Sequence, residues 1–163
     1  MYGIYIRQVS RVFAFALLVL ALGLVPAHAK TDFTGTWKVN AAKTDFGPMP
    51  PPDSIVEKIT HEEPNIKVSV AQTGGAQGDM NYDMAYTTDG KESVNKMGDN
   101  EFKTVLKWDG DDLVGETKGA FGDFNFTAKD RWTLSDGGKT MTVTRHISSD
   151  QGEFDMKLVF DKQ

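Results

Sequence analysis

Alternation of apolar and polar residues, broken at short intervals by turn-forming residues, constrains this chain more than any other feature. From Ser54 onward the pattern has a period of two, and the breaks fall every eight to thirteen positions. The breaks are rich in Gly, Asp, Asn, Pro and Ser, which tight reversals between antiparallel strands require. The candidate strands are Ile55–His61, Asn65–Gln72, Met80–Thr87, Lys91–Met97, Glu101–Trp108, Leu113–Lys118, Phe124–Leu134, Thr140–Ile147 and Phe154–Phe160.

This pattern predicts an all-β fold, an antiparallel up-and-down β-barrel of about ten strands. The count includes one earlier strand at Phe33–Lys38, which contains Gly35 and Trp37. We expect that strand to deliver Trp37 to the base of the barrel and to pair with both the next strand and the last. Closure removes the exposed edges that an open meander would leave. The segment Gly47–Pro52 contains four prolines and predicts an extended, rigid connection between the first two strands.

The first 29 residues are typical of a signal peptide. Arg7 and Arg11 precede the apolar run Val12–Val25, and Pro26 is followed by the small-residue cleavage site Ala27-His28-Ala29. The run is short for a membrane-spanning helix, and no second run follows it. We therefore expect cleavage after Ala29, no stable membrane insertion afterwards, and a periplasmic or secreted protein whose residues 30–163 form one domain.

Composition narrows the range of partners. The whole chain has a net charge of −5, and loss of the leader would remove two arginines and no acidic residue. An acidic protein of this kind is a poor match for nucleic acid or for an anionic membrane surface. There is no cysteine, so an exported protein must be held together by its core, without disulfide bonds.

The last three strands allow a prediction of register. A turn at residues 148–152 and a second one at Gly137-Gly138 bring the apolar faces of neighbouring strands together. The predicted opposite pairs are Ile147 with Phe154, Arg145 with Met156, Met141 with Phe160, Leu134 with Met141, Trp132 with Val143 and Asp130 with Arg145.

The pair formed by Asp130 and Arg145 would lie on an otherwise apolar inward face. A buried arginine needs a partner because stranding its charge costs several kcal/mol. The simpler interpretation is an internal ion pair that satisfies itself. The functional interpretation is that Arg145 keeps spare donors, among the five of its guanidinium group, for an acidic headgroup inside the barrel.

Other strands suggest a mixed interior. A two-residue turn at Asp89-Gly90 would set Ser93 and Asn95 opposite Tyr86 and Met84. The turn at residues 109–112 would likewise set Trp108 against Leu113 and Thr104 against Thr117. Aromatic and methionine side chains interrupted by Ser, Asn and Thr are typical of a partly hydrated cavity, although they could also fill a narrow barrel.

The opening Gly35-Thr36-Trp37 and the ending Met156–Phe160 resemble the calycin superfamily of lipocalins and fatty-acid-binding proteins. More closely, the chain resembles small exported lipocalin-like proteins of bacteria that begin FTGTWKVN and continue through a proline-rich segment. The resemblance implies a ligand-holding barrel in which Trp37 closes the base against a basic side chain, Arg131 or Arg145. Fatty-acid-binding proteins have a two-helix lid where this chain has its proline-rich connection.

Catalytic and metal-binding motifs do not stand out. Serine nucleophile elbows, phosphate-cradling glycine loops and cysteine nucleophiles are absent, so we assign no catalytic residue. His61 and His146 lie on separate strands, which predicts no metal site and no cofactor. Haem ligation by an inward His61 is an alternative, as is an enzyme that uses Asp130, Arg145 and Glu57.

The sequence therefore favours an exported, monomeric barrel that binds a small apolar or amphipathic molecule, with possible lipid ligands. A filled barrel that acts through its surface is a further alternative. Gly35 and Trp37 are assigned structural roles. The predicted ligand-binding residues are Arg145, Asp130, Trp132, Trp108, Tyr82 and Phe126.

Overall fold

The computed structural model describes residues 30–75 and 78–163. The predicted signal peptide, residues 1–29, lies outside them. The described residues contain no helix and thus none that could span a bilayer. They form ten strands: β1 Gly35–Val39, β2 Ser54–Glu62, β3 Asn65–Thr73, β4 Met80–Thr87, β5 Asp89–Met97, β6 Asn100–Asp109, β7 Asp112–Phe121, β8 Phe124–Ser135, β9 Thr140–Ser149 and β10 Gly152–Lys162.

A single antiparallel sheet contains all ten strands in the order β4-β3-β2-β1-β10-β9-β8-β7-β6-β5. The first strand lies between β2 and β10, as predicted, so the chain begins and ends its barrel at one seam. The sheet curls until β4 and β5 approach each other, which leaves a nearly closed barrel. The predicted all-β fold of ten antiparallel strands is confirmed.

Side chains replace the backbone ladder between β4 and β5. The Asn95 amide accepts from the Ala85 N–H at 2.7 Å and donates to the Ala85 carbonyl at 2.9 Å. The Ser93 hydroxyl accepts from the Thr87 N–H at 3.1 Å. The predicted strand pairing across Asp89-Gly90 is therefore wrong, since β4 and β5 are the two ends of the sheet and share no ladder. Two polar side chains then bridge the gap and satisfy backbone groups that would otherwise lack partners.

The other predicted registers are confirmed. In the last two hairpins all six pairs occur as expected, including Asp130 opposite Arg145 and Ile147 opposite Phe154. The hairpin of β6 and β7 sets Trp108 opposite Leu113, as the length of its turn predicts. These registers follow from burial, because a slip of one residue would turn every apolar side chain of a strand outward.

The proline-rich connection between β1 and β2 lies against the last strand. Asp45 pairs with Lys157 through two backbone hydrogen bonds of 2.8 Å. Gly47 follows with a φ of 61°, and a Cβ there would lie 2.7 Å from the Asp155 carbonyl oxygen. Glycine is thus required where the chain leaves β10 and turns toward Pro48. The prolines after this turn then pass beside one end of the barrel interior.

Candidate functional site

The barrel encloses a cavity of about 530 Å³. Its wall is mainly apolar, and it extends to the end of the barrel where the proline-rich connection and the turns after β5 and β7 lie. We call this end the mouth, defined by Phe46, Pro48–Pro52, Met97, Phe121, Phe124 and Phe154. An apolar, largely preformed cavity of this size has the usual dimensions of a small-molecule binding site.

The opposite end of the barrel is filled, and we call it the closed end. Phe33 is fully buried there, with its ring centroid 6.0 to 6.2 Å from the rings of His61, Trp108 and Trp132. The Trp37 indole donates to the Phe33 carbonyl at 2.9 Å. Phe33 therefore fills the closed end, and the hydrogen bond from Trp37 of β1 holds it in place. We call Phe33 the plug.

The resemblance predicts a basic side chain beside Trp37 at the base of the barrel. The structure has a basic side chain there, but it belongs to a different residue from the two that were predicted. The Lys162 ammonium lies 5.1 Å from the centre of the Trp37 ring. A Cβ at Gly35 would lie 2.5 Å from the Lys162 Cε, so glycine leaves the room for this contact. Arg131 and Arg145 are engaged elsewhere, and the assignment of either to Trp37 is wrong. Only the pairing of β1 with β10 brings Lys162 to this place.

Arg145 and Asp130 form the ionic centre of the cavity. The guanidinium Nε and Nη2 donate to the two carboxylate oxygens at 2.7 Å each, a bidentate geometry. Both side chains line the cavity, with exposures of 35% and 10%. The charge of Asp130 raises the pKa of Arg145 above its usual value, so the guanidinium remains charged. Arg145 keeps the donors of Nη1, and one on Nη2, that Asp130 does not use.

Glu57 is a third ionisable group on the cavity wall. It lies on β2 between the buried residues Ile55 and Ile59, and its carboxyl group makes no hydrogen bond within the described residues. Burial raises the pKa of Glu57 to about 7, with Arg145 opposing the shift and Asp130 adding to it. A carboxyl group that titrates near neutral pH is thus directed into an apolar space.

Two tyrosines of β4 add hydroxyl groups to the same wall. Tyr82 and Tyr86 line the cavity, and burial raises the pKa of each above the usual value, so both are neutral. Neither hydroxyl has a hydrogen-bond partner in the described part of the chain, and neither is shut off from the cavity space. Trp132 differs, because its indole N–H is fully buried and unpartnered among the described residues.

The predicted ligand-binding residues separate into two groups. Arg145, Asp130, Trp132, Tyr82 and Phe126 all line the cavity, and their role in ligand binding stays a prediction. Trp108 does not line it.

Trp108 lies at the closed end instead. It stacks on His61 with centroids 5.9 Å apart and donates its indole N–H to Glu63 at 2.8 Å. The pattern of β6 correctly predicts the inward direction of Trp108. Its depth along the barrel, beside the Phe33 plug, is not visible in an alternating pattern.

Three aromatic residues near the mouth, Phe102, Phe121 and Phe124, were not assigned to the binding site from the sequence. Phe102, Phe121, Phe124 and Phe126 form a cluster with ring centroids 5.2 to 6.1 Å apart. Phe124 shares a face of β8 with the predicted residue Phe126, so alternation could have identified Phe124 as well. Phe121 joins them because the tight turn at Gly122 folds the end of β7 back over β8.

Within residues 30–75 and 78–163, no group of three or more His, Cys, Asp or Glu side chains could hold a metal ion. His61 is almost fully buried, and both its ring nitrogens are engaged. The Phe33 N–H donates to Nδ1 at 3.3 Å, and Nε2 lies 3.0 Å from a Glu63 oxygen. Because Phe33 covers His61, the imidazole does not line the cavity.

Comparison with known proteins reveals similarity at the level of structure. No protein-family model matches the chain, and no curated protein matches its sequence. Zebrafish ileal bile acid-binding protein, complexed with cholic acid, aligns with a TM-score of 0.56 and 16% identity over 82% of this chain and 100% of its own. Secretory abundant heat soluble protein 4 from Ramazzottius varieornatus aligns with a TM-score of 0.56 and 17% identity over 84% and 99%.

A fatty-acid-binding protein from Schistosoma mansoni, in complex with arachidonic acid, aligns with a TM-score of 0.54 and 12% identity over 80% of this chain and 96% of its own. Identities this low carry information on the fold alone. The narrower resemblance to small exported bacterial proteins stays a prediction. The chain has the nearly closed, ten-stranded β-barrel fold of calycin-like proteins.

Proposed function

We propose that this protein is an exported, monomeric barrel that binds one small apolar or amphipathic molecule in its interior. The observation that carries the proposal is the cavity of about 530 Å³, which has an apolar wall and a few convergent polar groups. The proposed ligand lies with its polar end near Arg145 and its body along Tyr82, Phe126 and Trp132. Two proteins of similar fold hold cholic acid and arachidonic acid, which supports a ligand of this general kind.

The apolar mouth supports access from that end. Its proline-rich segment is mostly exposed, and Met49 leaves 42% of its surface open to solvent. The closed end offers no comparable path, because Phe33 and the hydrogen bonds of Glu63 occupy it. A ligand would therefore pass between the segment Pro48–Pro52 and the aromatic cluster.

Occlusion of the cavity tests the binding function. Met84 lines the cavity, whereas its neighbour Asp83 faces solvent on the same strand. Met84→Trp should abolish the fluorescence gain of the apolar probe N-phenyl-1-naphthylamine, and the matched control Asp83→Trp should retain it. Native mass spectrometry of protein purified without denaturation should show a bound small molecule in the wild type and in Asp83→Trp, and none in Met84→Trp. A wild-type barrel that binds no probe and carries no ligand would overturn the proposal.

Export and oligomeric state have separate tests. Expression of the full chain in a bacterial host should yield a mature protein that begins at Lys30, as read by mass spectrometry. Light scattering on the purified product should give the mass of one chain. Retention of residues 1–29, or a stable dimer, would contradict the corresponding part of the proposal and leave ligand binding unaffected.

A further inference from the structure

We propose that the ligand carries a basic headgroup, a protonated amine at one end of an apolar body, and that Glu57 binds it. This inference rests on the proposed function, since it names the chemical class of the molecule inside the cavity. It departs from the expectation that Arg145 holds an acidic headgroup. The argument has three steps, which concern Arg145, Glu57 and the total charge of the cavity.

The first step is that Arg145 is already neutralised. Asp130 engages the guanidinium at two points with bonds of 2.7 Å, and its side chain is nine-tenths buried beside it. This bidentate pair resists separation, because breaking it would leave a charge without its partner inside the barrel at a cost of several kcal/mol. An anionic ligand would have to compete with Asp130 or approach a centre without net positive charge.

The second step is that, among the described residues, no hydrogen-bond donor is paired with the Glu57 carboxylate. Within the described residues its carboxylate makes no hydrogen bond, yet its oxygens are not sealed from the cavity space. The ionisable groups that face it are Arg145 and Asp130 from β9 and β8, and Tyr82 from β4, with Tyr86 further along β4. The inward residues next to it on β1 and β3 are Trp37 and Val70, which cannot titrate.

The third step is the total charge. With Glu57 ionised, the arginine and the two carboxylates leave the cavity with one net negative charge. An ammonium headgroup cancels that charge and donates to the unpartnered carboxylate. A carboxylate headgroup adds a second negative charge inside an apolar cavity, where like charges repel more strongly than in bulk water. Electrostatic complementarity thus selects a cation over an anion of the same length.

Binding should therefore depend on pH. An alkyl ammonium, like a lysine side chain with a pKa of about 10.4, stays protonated between pH 6 and pH 8. Glu57 changes from mainly neutral to mainly ionised over that interval in the empty barrel, because burial raises its pKa to about 7. Affinity for the amine should rise about tenfold from pH 6 to pH 8, in step with the ionised fraction. Affinity for an alcohol should not rise.

A series with matched chains tests the headgroup. Decylamine, decanol and decanoate would each displace N-phenyl-1-naphthylamine from the wild-type barrel at pH 6 and pH 8. We expect decylamine to bind tightest at pH 8 and decanoate to bind weakest. Tightest binding by decanoate, or equal binding of amine and alcohol at both pH values, would overturn the headgroup inference while the cavity function stands. If none of the three displaces the bound probe, the headgroup inference is wrong, whereas the general binding function fails only if the barrel binds no probe and carries no ligand.

Three variants assign the effect to residues. Glu57→Gln should weaken decylamine about tenfold at pH 8, abolish its pH dependence and leave decanol unchanged, which also verifies that the barrel is folded. Glu116→Gln, an exposed carboxylate of β7 near Lys118, should behave as wild type. Asp130→Asn should shift preference toward decanoate, because it removes the charge that neutralises Arg145. Unchanged amine binding in Glu57→Gln would overturn the assignment.

Discussion

The two ends of the barrel interior differ in whether their glutamate carboxylates accept hydrogen bonds. At the closed end, one Glu63 carboxylate accepts from Thr88 at 2.7 Å and from Trp108 at 2.8 Å, and it lies 3.0 Å from His61. In the cavity, the Glu57 carboxylate accepts no hydrogen bond from any residue that the structure describes. A satisfied polar network stabilises and orders a structure, whereas an unsatisfied one reduces stability. The difference indicates that the closed end serves stability, and it agrees with the binding role proposed for the cavity.

The largest expected effect comes from removal of the aromatic residue at the closed end. Trp37 is fully buried, and Trp37→Ala should lower the free energy of unfolding by about 3–5 kcal/mol, because it opens a void and releases Phe33. Urea denaturation measures the loss. The matched change Phe124→Ala at the partly exposed mouth should cost clearly less. Equal losses at the two positions would contradict the division between the ends.

The next largest effect concerns Glu57, whose replacement should raise the free energy of unfolding, whereas Trp37→Ala lowers it. Its pKa rises from 4.5 in the unfolded chain to about 7 in the barrel, so the native state binds more protons in this interval. The free energy of unfolding therefore falls as pH rises from about 4.5 through 7, and the lost stability is complete above 7. The difference corresponds to about 3 kcal/mol, since each pKa unit is worth about 1.4 kcal/mol.

Glu57→Gln removes that titration, so it should raise stability by up to about 3 kcal/mol at pH 8 and much less at pH 5. Urea denaturation of the ligand-free protein at both pH values provides the measurement. Glu62→Gln, an exposed neighbour on the same strand, serves as the control and should show no pH-dependent gain. A loss of stability in Glu57→Gln at pH 8 would mean that the native carboxylate has a favourable partner.

A smaller loss should follow removal of the closed-end carboxylate. Glu63→Ala leaves Thr88 and the Trp108 indole without an acceptor, which should cost about 1–3 kcal/mol. Thermal unfolding and the fluorescence of Trp108 would report it together. Glu62→Ala, which faces solvent, should change the free energy of unfolding little. If Glu63→Ala were neutral, the network would contribute nothing measurable and the contrast between the ends would weaken.

The smallest effect is expected from a cavity hydroxyl. Tyr86→Phe removes no hydrogen bond within the described residues and should change stability by less than about 0.5 kcal/mol. Thr104→Val breaks the 2.8 Å bond with the Thr117 hydroxyl and should cost about 1 kcal/mol. Denaturant titration of both variants distinguishes unpartnered from partnered groups in the same wall. A larger loss for Tyr86→Phe would reveal a partner for its hydroxyl.

Much of the barrel was predictable because burial constrains a strand through its period of two. The pairing of Asp130 with Arg145 followed from the turn at Gly137-Gly138, and the structure confirms it. The separation of β4 from β5 was not predictable, because a local turn signal at Asp89-Gly90 carries no information on how far the whole sheet curls. Trp108 was assigned to the binding site because alternation reports the direction of a side chain and not its depth.

Local chemistry was enough to specify an all-β chain, the registers of its tight hairpins other than the one between β4 and β5, and an inward ion pair. Each of these depends on residues near in sequence or on one hairpin. The contacts that distinguish the closed end from the cavity depend on the curling of the sheet into a barrel, because they join residues far apart in the chain. They are Lys162 over Trp37, Phe33 against His61, and Glu57 facing Arg145. Distances across a barrel arise from the curvature of all ten strands together. No single segment of the sequence contains that information.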